Sequence, residues 1–517
     1  MNLQGKSALK KPKNLRAVDE NRTNLMTFQK KKTPIKPLPC LALVLAILIP
    51  AGCATVGPDY VPPKTQVSEE WHSPLKGGLT AEEMDPQALT AWWTTLNDQE
   101  LSSLIQRAVK DNLDVKEALA RVREARARRG ITEAGLFPSL DASGSATWTR
   151  KSQDSGSGKS SELYVAGLDA GWELDIFGGI RRSVQAADAD LQASQENLRD
   201  VLVSLLAEVA LNYIEVRTFQ TRLAVAEANL ESQNETYQLA QWRNQAGLSD
   251  QLAVQQASYN LESTRSQIPT LRTGLEAAMN RITVLLGEQP GKISAELEKQ
   301  APIPVTPLKV AVGVPAGVLR RRPDIRSAER QLAAQTARIG VAVADLYPKF
   351  TLAGSIGVET LSLGNPSSSG VLTLLGGPRF SWALFQAGAI RQNIKAQTAL
   401  QEQYLFAYQS AVLGALEDVE NALTAYAEEQ KRREALDKAA LAAQIAAELA
   451  QQKFEAGLND FTNVLDAQRS LLSFQEQLAQ SDGTVTSNLV RLYKALGGGW
   501  ESMVQDEGTE VVSWRTK

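Results

Sequence analysis

The feature that most constrains this chain is that its plan is written twice. The stretch "AGLSDQLAVQQA", beginning at Ala246, matches "AGLNDFTNVLDA", beginning at Ala456, at an offset of 210 residues. The same offset pairs Asp114 with Asp324, Gly130 with Gly340, Pro138 with Pro348, Gly144 with Gly354, Trp172 with Trp382 and Gly287 with Gly497. Because the offset never changes, the fold must be built from two copies of one order of elements, without net insertion in either.

Within a copy, the order is legible. A first helix, over about 99–135 and again over about 323–345, ends near "LFP" or "LYP", where proline stops it. Two alternating segments follow. In "LDASGSATWTR", Asp141, Ser143, Ser145, Thr147 and Thr149 interleave with Leu140, Ala142, Gly144, Ala146 and Trp148. In "YVAGLDAGWEL", Tyr164, Ala166, Leu168, Ala170, Trp172 and Leu174 share one face. Period-two runs of about ten residues flanked by aromatics read as strands long enough to cross a bilayer with tilt.

The next segment holds no Gly and no Pro from Arg182 to Gln245, which predicts a helix of roughly 95 Å. Leu202, Val209, Val216, Leu223, Leu230 and Tyr237 recur every seven residues along it. Leu198, Leu205, Asn212, Phe219 and Ala226 form a second seam. Sustained sevenfold spacing predicts packing along near-parallel neighbours. A turn at "AGLSD" or "AGLND" then reverses the chain into a shorter helix. Gly247 and Gly457 suit left-handed C-caps there, and Ser249 or Asn459 can cap the returning helix.

The two cysteines, Cys40 and Cys53, both lie near the start. "LALVLAILI", Leu41 to Ile49, is too short to span a bilayer, which needs roughly 17–25 residues, and "KKKTPIK" precedes it. That pattern fits a signal peptide. Cys53 reads as a buried thiol, as a disulfide partner of Cys40, or as a cleavage and lipidation point. Pro50 and Gly52 oppose a buried helix, and Cys40 would leave with the signal. "PAGC" resembles a bacterial lipobox, which makes Cys53 an acylated first residue. Translation from Met26 would give a leader of ordinary length, and that start is expected.

Residues 1–52 carry ten Lys/Arg and two acids, so their removal leaves 45 basic and 56 acidic residues. A nucleic-acid partner is therefore not supported. Past Cys53 there is one histidine, His72, and no cysteine, which opposes a Cys/His metal site or a histidine triad. "LGGGW" lacks the Lys and Ser/Thr of a phosphate loop. No enzyme and no cofactor beyond a lipid on Cys53 are expected.

Four strands cannot close a barrel, and open edges are not tolerated in lipid. If the strands are in a membrane, several copies must share them; otherwise the chain is a coiled-coil protein with hairpins at one end.

"AWWTTLNDQELSSLIQRAVKDNLDVKEALARVREARA" (91–127), "GPDYVPP", and "VPAGVLRRRPDIRSAERQLAAQTARIGVAVADLYPKFTL" (314–352) resemble the TolC-like outer membrane factors. The match is to the lipoprotein (NodT-type) branch that serves resistance-nodulation-division efflux pumps. This resemblance implies a mixed α+β membrane protein, a homotrimer in which a twelve-strand β-barrel continues into a long α-helical barrel. It implies a Gram-negative outer membrane location, reaching into the periplasm, and two partners, a periplasmic adaptor and an inner-membrane transporter. Residues 1–52 are then a lipoprotein signal, 53–98 an acylated segment, 99–287 the first repeat, 288–321 a linker, 322–497 the second repeat and 498–517 a tail.

The resemblance places Ala246, Gly247, Leu248 and Ser249, with Ala456, Gly457, Leu458 and Asn459, at periplasmic tips that meet the adaptor. The family narrows its tip with acidic rings, and the pattern falls on Asp466 and Asn463. Asn463 departs from the two-aspartate pattern, which leaves one ring. The implied function is a passive exit duct for drugs or other small molecules. A type I protein-secretion duct and a non-conducting periplasmic scaffold are the alternatives.

Overall fold

A computed structural model of the protein describes residues 55–64, 67–82, 86–150, 152, 160–307, 309–361 and 370–501. Met26, Cys40 and Cys53 lie outside the described residues, as does the tail beyond Glu501. The main elements are α1 (Gln99–Asp111), α2 (Leu113–Ala134), β1 (Ser139–Arg150), β2 (Ser160–Leu174), α3 (Gly179–Gln245) and α4 (Gln251–Leu285). They continue with α5 (Pro323–Ala344), β3 (Lys349–Thr360), β4 (Val371–Ser381), α6 (Ala389–Glu455) and α7 (Phe461–Ala495).

The internal repeat is a structural one. Elements of the first copy recur 210 residues later with identical bounds: α2 as α5, β1 as β3, α3 as α6 and α4 as α7, while β2 recurs as a shorter β4. Helices α3 and α6 have 67 residues each, about 100 Å of unbroken helix. Each starts after a glycine of positive φ, Gly178 or Gly388, which turns the chain out of a strand where a side chain would be strained.

The expected single helix over 99–135 is two helices. Asn112 breaks it with an extended backbone, and its Oδ1 accepts the N–H of Val115 at 3.0 Å. Its Nδ2 donates to the Leu285 carbonyl at 2.9 Å, tying the break to the end of α4. Arg322 stands at the same place in the second copy, and its Nη1 donates to the Ala495 carbonyl at 3.0 Å. Thus one contact is made twice by different chemistry.

The sheet runs in the order β1-β2-β3-β4, all antiparallel, with β1 and β4 as open edges. The segment 288–321 holds a short helix (Ser294–Leu297), a two-residue strand (Val310–Ala311) and a helix (Pro315–Arg321). Its strand pairs in parallel with Leu79–Thr80.

The largest hydrophobic cluster among the described residues lies along the middle of α3. There Trp92, Leu101, Leu104 and Ile105 pack with Leu206, Val209 and Ile214, and Trp92 stacks on Tyr493 of α7 at 5.5 Å. The heptad residues Leu202, Val209 and Val216 are buried, as are Leu198, Leu205 and Ala226 of the second seam. Leu223, Leu230 and Tyr237, nearer the tip, are only partly buried.

Candidate conduit wall, helix tips and gate

Register divides the sheet into two faces. Cross-strand partners share a face. The ladder links Trp172 to Leu352, Leu168 to Ile356, Ile356 to Leu374, and Phe350 to Phe380. With Leu140 and Trp148 of β1, these make one apolar face, and all of them except Phe350 are exposed in the single chain, most strongly on the edge strands β1 and β4. The opposite face carries Asp141, Ser143, Asp169, Glu173, Lys349, Thr351, Ser355, Glu359 and Arg379, with the apolar Leu163, Val165, Val371 and Leu375 confined to the half nearer the hairpin turns. Strands of 12, 15, 12 and 11 residues with this alternation have a greasy side for lipid and a wet side for a lumen.

Where sheet meets helices, Trp172 Nε1 donates to the Leu136 carbonyl at 2.9 Å and Trp382 Nε1 to the Leu346 carbonyl at 3.0 Å. Each tryptophan ties its ring nitrogen to the residues that follow a helix end and stays exposed. Phe137 and Phe385 are exposed beside them. Such a girdle suits a membrane–water boundary.

Both tips are Schellman turns. Leu248 N–H bonds the Arg243 carbonyl and Leu458 N–H the Lys453 carbonyl, each at 2.8 Å, with Gly247 at φ 71° and Gly457 at φ 74°. Ala246, Gly247, Ala456 and Gly457 are exposed. Leu248 and Leu458 are 69% and 78% exposed, apolar side chains on an otherwise polar turn.

The expected capping residues, Ser249 and Asn459, are displaced by their neighbours. Asp250 is the N-cap, its Oδ1 accepting the Ala253 N–H at 3.0 Å, because its extended backbone aims the carboxylate at the first turn. Asp460 holds the same position in the second copy without a side-chain cap bond. Ser249 instead gives its carbonyl to Asn244 Nδ2 at 2.9 Å, and Asn459 Oδ1 accepts from Asp460 N and from Asn463 Nδ2.

Asn463 is therefore turned back on its own tip. Asp466 lies exposed one turn further along α7 and pairs with Arg469 at 3.3 Å. Arg469 also reaches α4, where its Nη2 donates to Tyr259 Oη and Asn260 Oδ1, each at 3.2 Å. Sequence reading missed Arg469, Tyr259 and Asn260. The i,i+3 spacing of Asp466 and Arg469 was the available signal; the partners on α4 left none. Behind the tip, Ala240, Val254, Ala257 and Leu465 close a small apolar cluster, and Phe454 packs on Phe461 at 5.1 Å.

The contacts of the segment after Cys53 were not foreseen from its sequence. Val56 N–H bonds the Phe177 carbonyl at 3.1 Å, and Arg182, almost fully buried, donates to the carbonyls of Val56 and Gly57 and to Asp59. Gly57 has φ 88°, and a Cβ there would lie 2.5 Å from Gly340 Cα. Tyr60 Oη then donates to Glu329, burial and this carboxylate both raising its pKa. Further on, the N–H groups of His72 and Ser73 donate to the Glu420 carboxylate at 2.7 and 2.9 Å. The segment is thus a strap, laid from the strand–helix junction along the second copy.

Among the described residues no group of three or more His, Cys, Asp or Glu could hold a metal ion, and no helix is long and apolar enough to cross a membrane.

The profile of the family described as "Outer membrane efflux protein" matches residues 104–288 and 314–498, two stretches again 210 residues apart. The chain is 32% identical over 463 residues to Nodulation protein T of Rhizobium leguminosarum bv. trifolii, covering 89% of this chain and 97% of that protein. It is also 32% identical over 470 residues to the solvent efflux pump outer membrane protein SrpC of Pseudomonas putida, 90% of this chain and 98% of that one. Among solved structures, the outer-membrane channel OprN superposes with a TM-score of 0.79 at 34% identity, over 86% of this chain and 100% of that chain. With two-faced strands, paired tips and a repeat that the family profile also divides in two, the chain belongs to the outer membrane efflux protein family and is an outer membrane efflux channel.

Proposed function

We propose that three copies of the chain close one duct, which serves as the exit of a tripartite pump and passively passes drugs or other small molecules to the exterior. The observation that carries this reading is the sheet: one face apolar, the other polar, both edges open. Unpaired strand edges cost several kcal/mol per group in hydrocarbon, so the edges must be paired by further copies. Leu248 and Leu458 supply apolar contacts for a periplasmic adaptor. An inner-membrane transporter supplies the driving force.

Asp466 fits a gate. Carboxylates from three copies facing one axis repel each other and favour cations. Arg469 offsets part of that repulsion and fastens α7 to α4, so the closed tip is a balance of the two. Cys53 fits the lipid anchor. Thr55 packs at the strand–helix junction, and two residues of chain reach at most about 7 Å.

Single-channel recording on the purified assembly tests the duct. Stepwise conductance is expected; a silent bilayer overturns the reading in favour of a scaffold. In Asp466→Ala, blockade by divalent cations should weaken, and unchanged blockade removes Asp466 from the gate. Labelled palmitate should enter the wild-type chain and not Cys53→Ser.

A further inference from the structure

The segment 288–321 shows what a hollow of this fold takes. It leaves α4 at Gly287 and crosses α3, where Gln220 Nε2 donates to the Leu297 carbonyl at 2.6 Å. On the second repeat its Pro304 is buried, and the Pro304 carbonyl accepts from Thr486 Oγ1 at 3.0 Å, among the buried Val485 and Leu489 of α7. The equivalent residues of α4 are Leu275, Glu276 and Met279. These line a hollow of about 740 Å³ between α3, α4 and the segment 291–300, within the range of about 300–1,000 Å³ usual for a binding pocket.

The two hollows differ in chemistry. Leu223, Leu275 and Met279 give the open one an apolar floor, and its rim is acidic. Glu227 is paired with Arg272 at 2.9 Å, whereas Glu276 and Glu298 are exposed and have no ion pair among the described residues. Thr486 can donate to a passing carbonyl, but ionised Glu276 can only accept. An occupant must therefore bring an apolar group together with a cation or an N–H.

We propose that residues 511–517 of one copy dock in this hollow of the copy that follows it, with Trp514 on the apolar floor and Arg515 at Glu276 and Glu298. The inference rests on the duct reading above, since it needs neighbouring copies, and goes beyond it by assigning a partner surface to residues 511–517.

Three observations support it. First, the length is right. The described chain reaches Glu501, which accepts from Thr90 Oγ1 at 3.0 Å, and residues 502–517 lie beyond it. Seventeen residues lead from Gly287 to Pro304, and seventeen lead from Gly497, the equivalent turn, to Trp514. Copies that follow one another as the repeats do set the second stretch the same step as the first. Second, the chemistry is complementary. Trp514 offers a ring to a floor that includes a methionine, and Arg515 supplies the donors that two unpaired carboxylates call for. Third, the hollow stays open when copies meet. Helix α7 meets α3 through Gln468, Gln475 and Gln480. None of their counterparts on α4, Ser258, Arg265 and Thr270, lines the hollow.

Cysteine pairing in the full-length protein, oxidised in isolated outer membranes, tests the seat. Ala295 lies on the rim of the hollow, and Ser513 precedes Trp514. Ala295→Cys/Ser513→Cys should yield reducible dimers and trimers, and neither single variant should. Adding Trp514→Ser should cut the yield by about tenfold, and adding Glu276→Gln with Glu298→Gln by about threefold. A second measurement needs no disulfide: a charged maleimide should label Ala295→Cys about tenfold faster once residues 511–517 are removed. Equal labelling with and without them, from protein that still migrates as an oligomer, overturns the proposal. A disulfide that closes only within one chain, with no dimers, overturns the step between copies. Protection of Ala295→Cys in cells but not in the purified full-length assembly would give the hollow to another protein, and overturns it too. Conductance separates the two readings: a conducting assembly with an empty hollow sinks this inference alone, and a silent one sinks the duct.

Discussion

Helices α3 and α6 occupy equivalent places in the two repeats, have the same length and end in the same turn, yet equivalent positions do different work. Arg217 of α3 is fully buried, and its counterpart on α6 is the small buried Ala427. Ala210 sits in the core, and its counterpart Glu420 holds the strap by two backbone N–H groups. Asp175 caps the start of α3 by accepting from the N–H groups of Ile180 and Arg181, and its counterpart Phe385 is 87% exposed. Backbone path is therefore set by what the copies share, the glycines at Gly178 and Gly388 and the uninterrupted helical runs. What they do not share records the neighbours each copy meets.

Removing Arg217 is the most severe way to break that contrast. Its guanidinium donates to Glu100, to Tyr213 Oη at 3.0 Å, to Gln220 at 2.9 Å and to the Lys299 carbonyl at 2.8 Å, so it joins α1, α3 and the 288–321 segment. Arg217→Ala makes the first repeat like the second at this position. It leaves Glu100 without its partner and the Lys299 carbonyl unbonded, and a loss of about 3–5 kcal/mol is expected. Denaturant unfolding of the purified protein measures it. A change below about 1 kcal/mol would mean that solvent replaces the arginine, and that burial at this site carries little specificity.

Glycine on a returning helix gives a second, smaller contrast. A Cβ on Gly483 of α7 would lie 2.0 Å from Thr218 Oγ1, and Thr218 is itself buried against its own helix. On α4 the counterpart is Thr273, exposed and hydrogen-bonded to the Pro269 carbonyl. Helix propensity alone would have Gly483→Ala stabilise by about 0.5–1 kcal/mol. Overpacking of a close helix crossing opposes it by about 1–3 kcal/mol, and the net sign should be destabilising. Thr273→Ala should stay within about 0.5 kcal/mol. A raised melting temperature for Gly483→Ala would show that α3 and α7 can part at this level without penalty. Adding Thr218→Ala should restore part of the loss.

These contrasts also show what the sequence could disclose. Long helices were legible because Gly and Pro are absent from Arg182 to Gln245, and strand faces because Leu140 to Trp148 alternates and Tyr164, Ala166, Leu168, Ala170, Trp172 and Leu174 keep one face apolar. The break at Asn112 was not, since an asparagine within an amphipathic run gives the same pattern whether it caps a helix or sits on its wet face. Asp250 and Ser249 are both capping residues, and only backbone angles choose between them. The strap was invisible for a different reason: it is held by contacts to residues such as Arg182 and Glu420, more than a hundred positions away, and needs no periodicity of its own. At the tip, Asp466 was marked by the family resemblance, whereas the tie of its partner Arg469 to Tyr259 and Asn260 depends on how α7 lies against α4.

The mildest test concerns the clasp at Glu420, the position where the first repeat has Ala210. Partial burial raises the pKa of this carboxyl, but hydrogen bonds from Ser73 and from the backbone of His72 and Ser73 outweigh it and hold the pKa below the ordinary 4.5. A carboxyl whose pKa is lowered by folding stabilises the folded form fully above 4.5, and that contribution fades as pH falls through the folded value. The strap should accordingly stay docked at neutral pH and loosen only below about pH 4.5, which amide exchange at His72 and Ser73 would report. Glu420→Gln keeps the shape and removes the titration, so the protection factors there should be lower at neutral pH and should lose their acid dependence. If the protection factors of these two amides, which remove the intrinsic pH dependence of exchange, are the same at about pH 7 and about pH 3, the carboxylate does not hold the strap. Docking would then rest on Trp71 Nε1, which donates to the Gly313 carbonyl at 2.9 Å, and on the pairing of Leu79–Thr80 with Val310–Ala311.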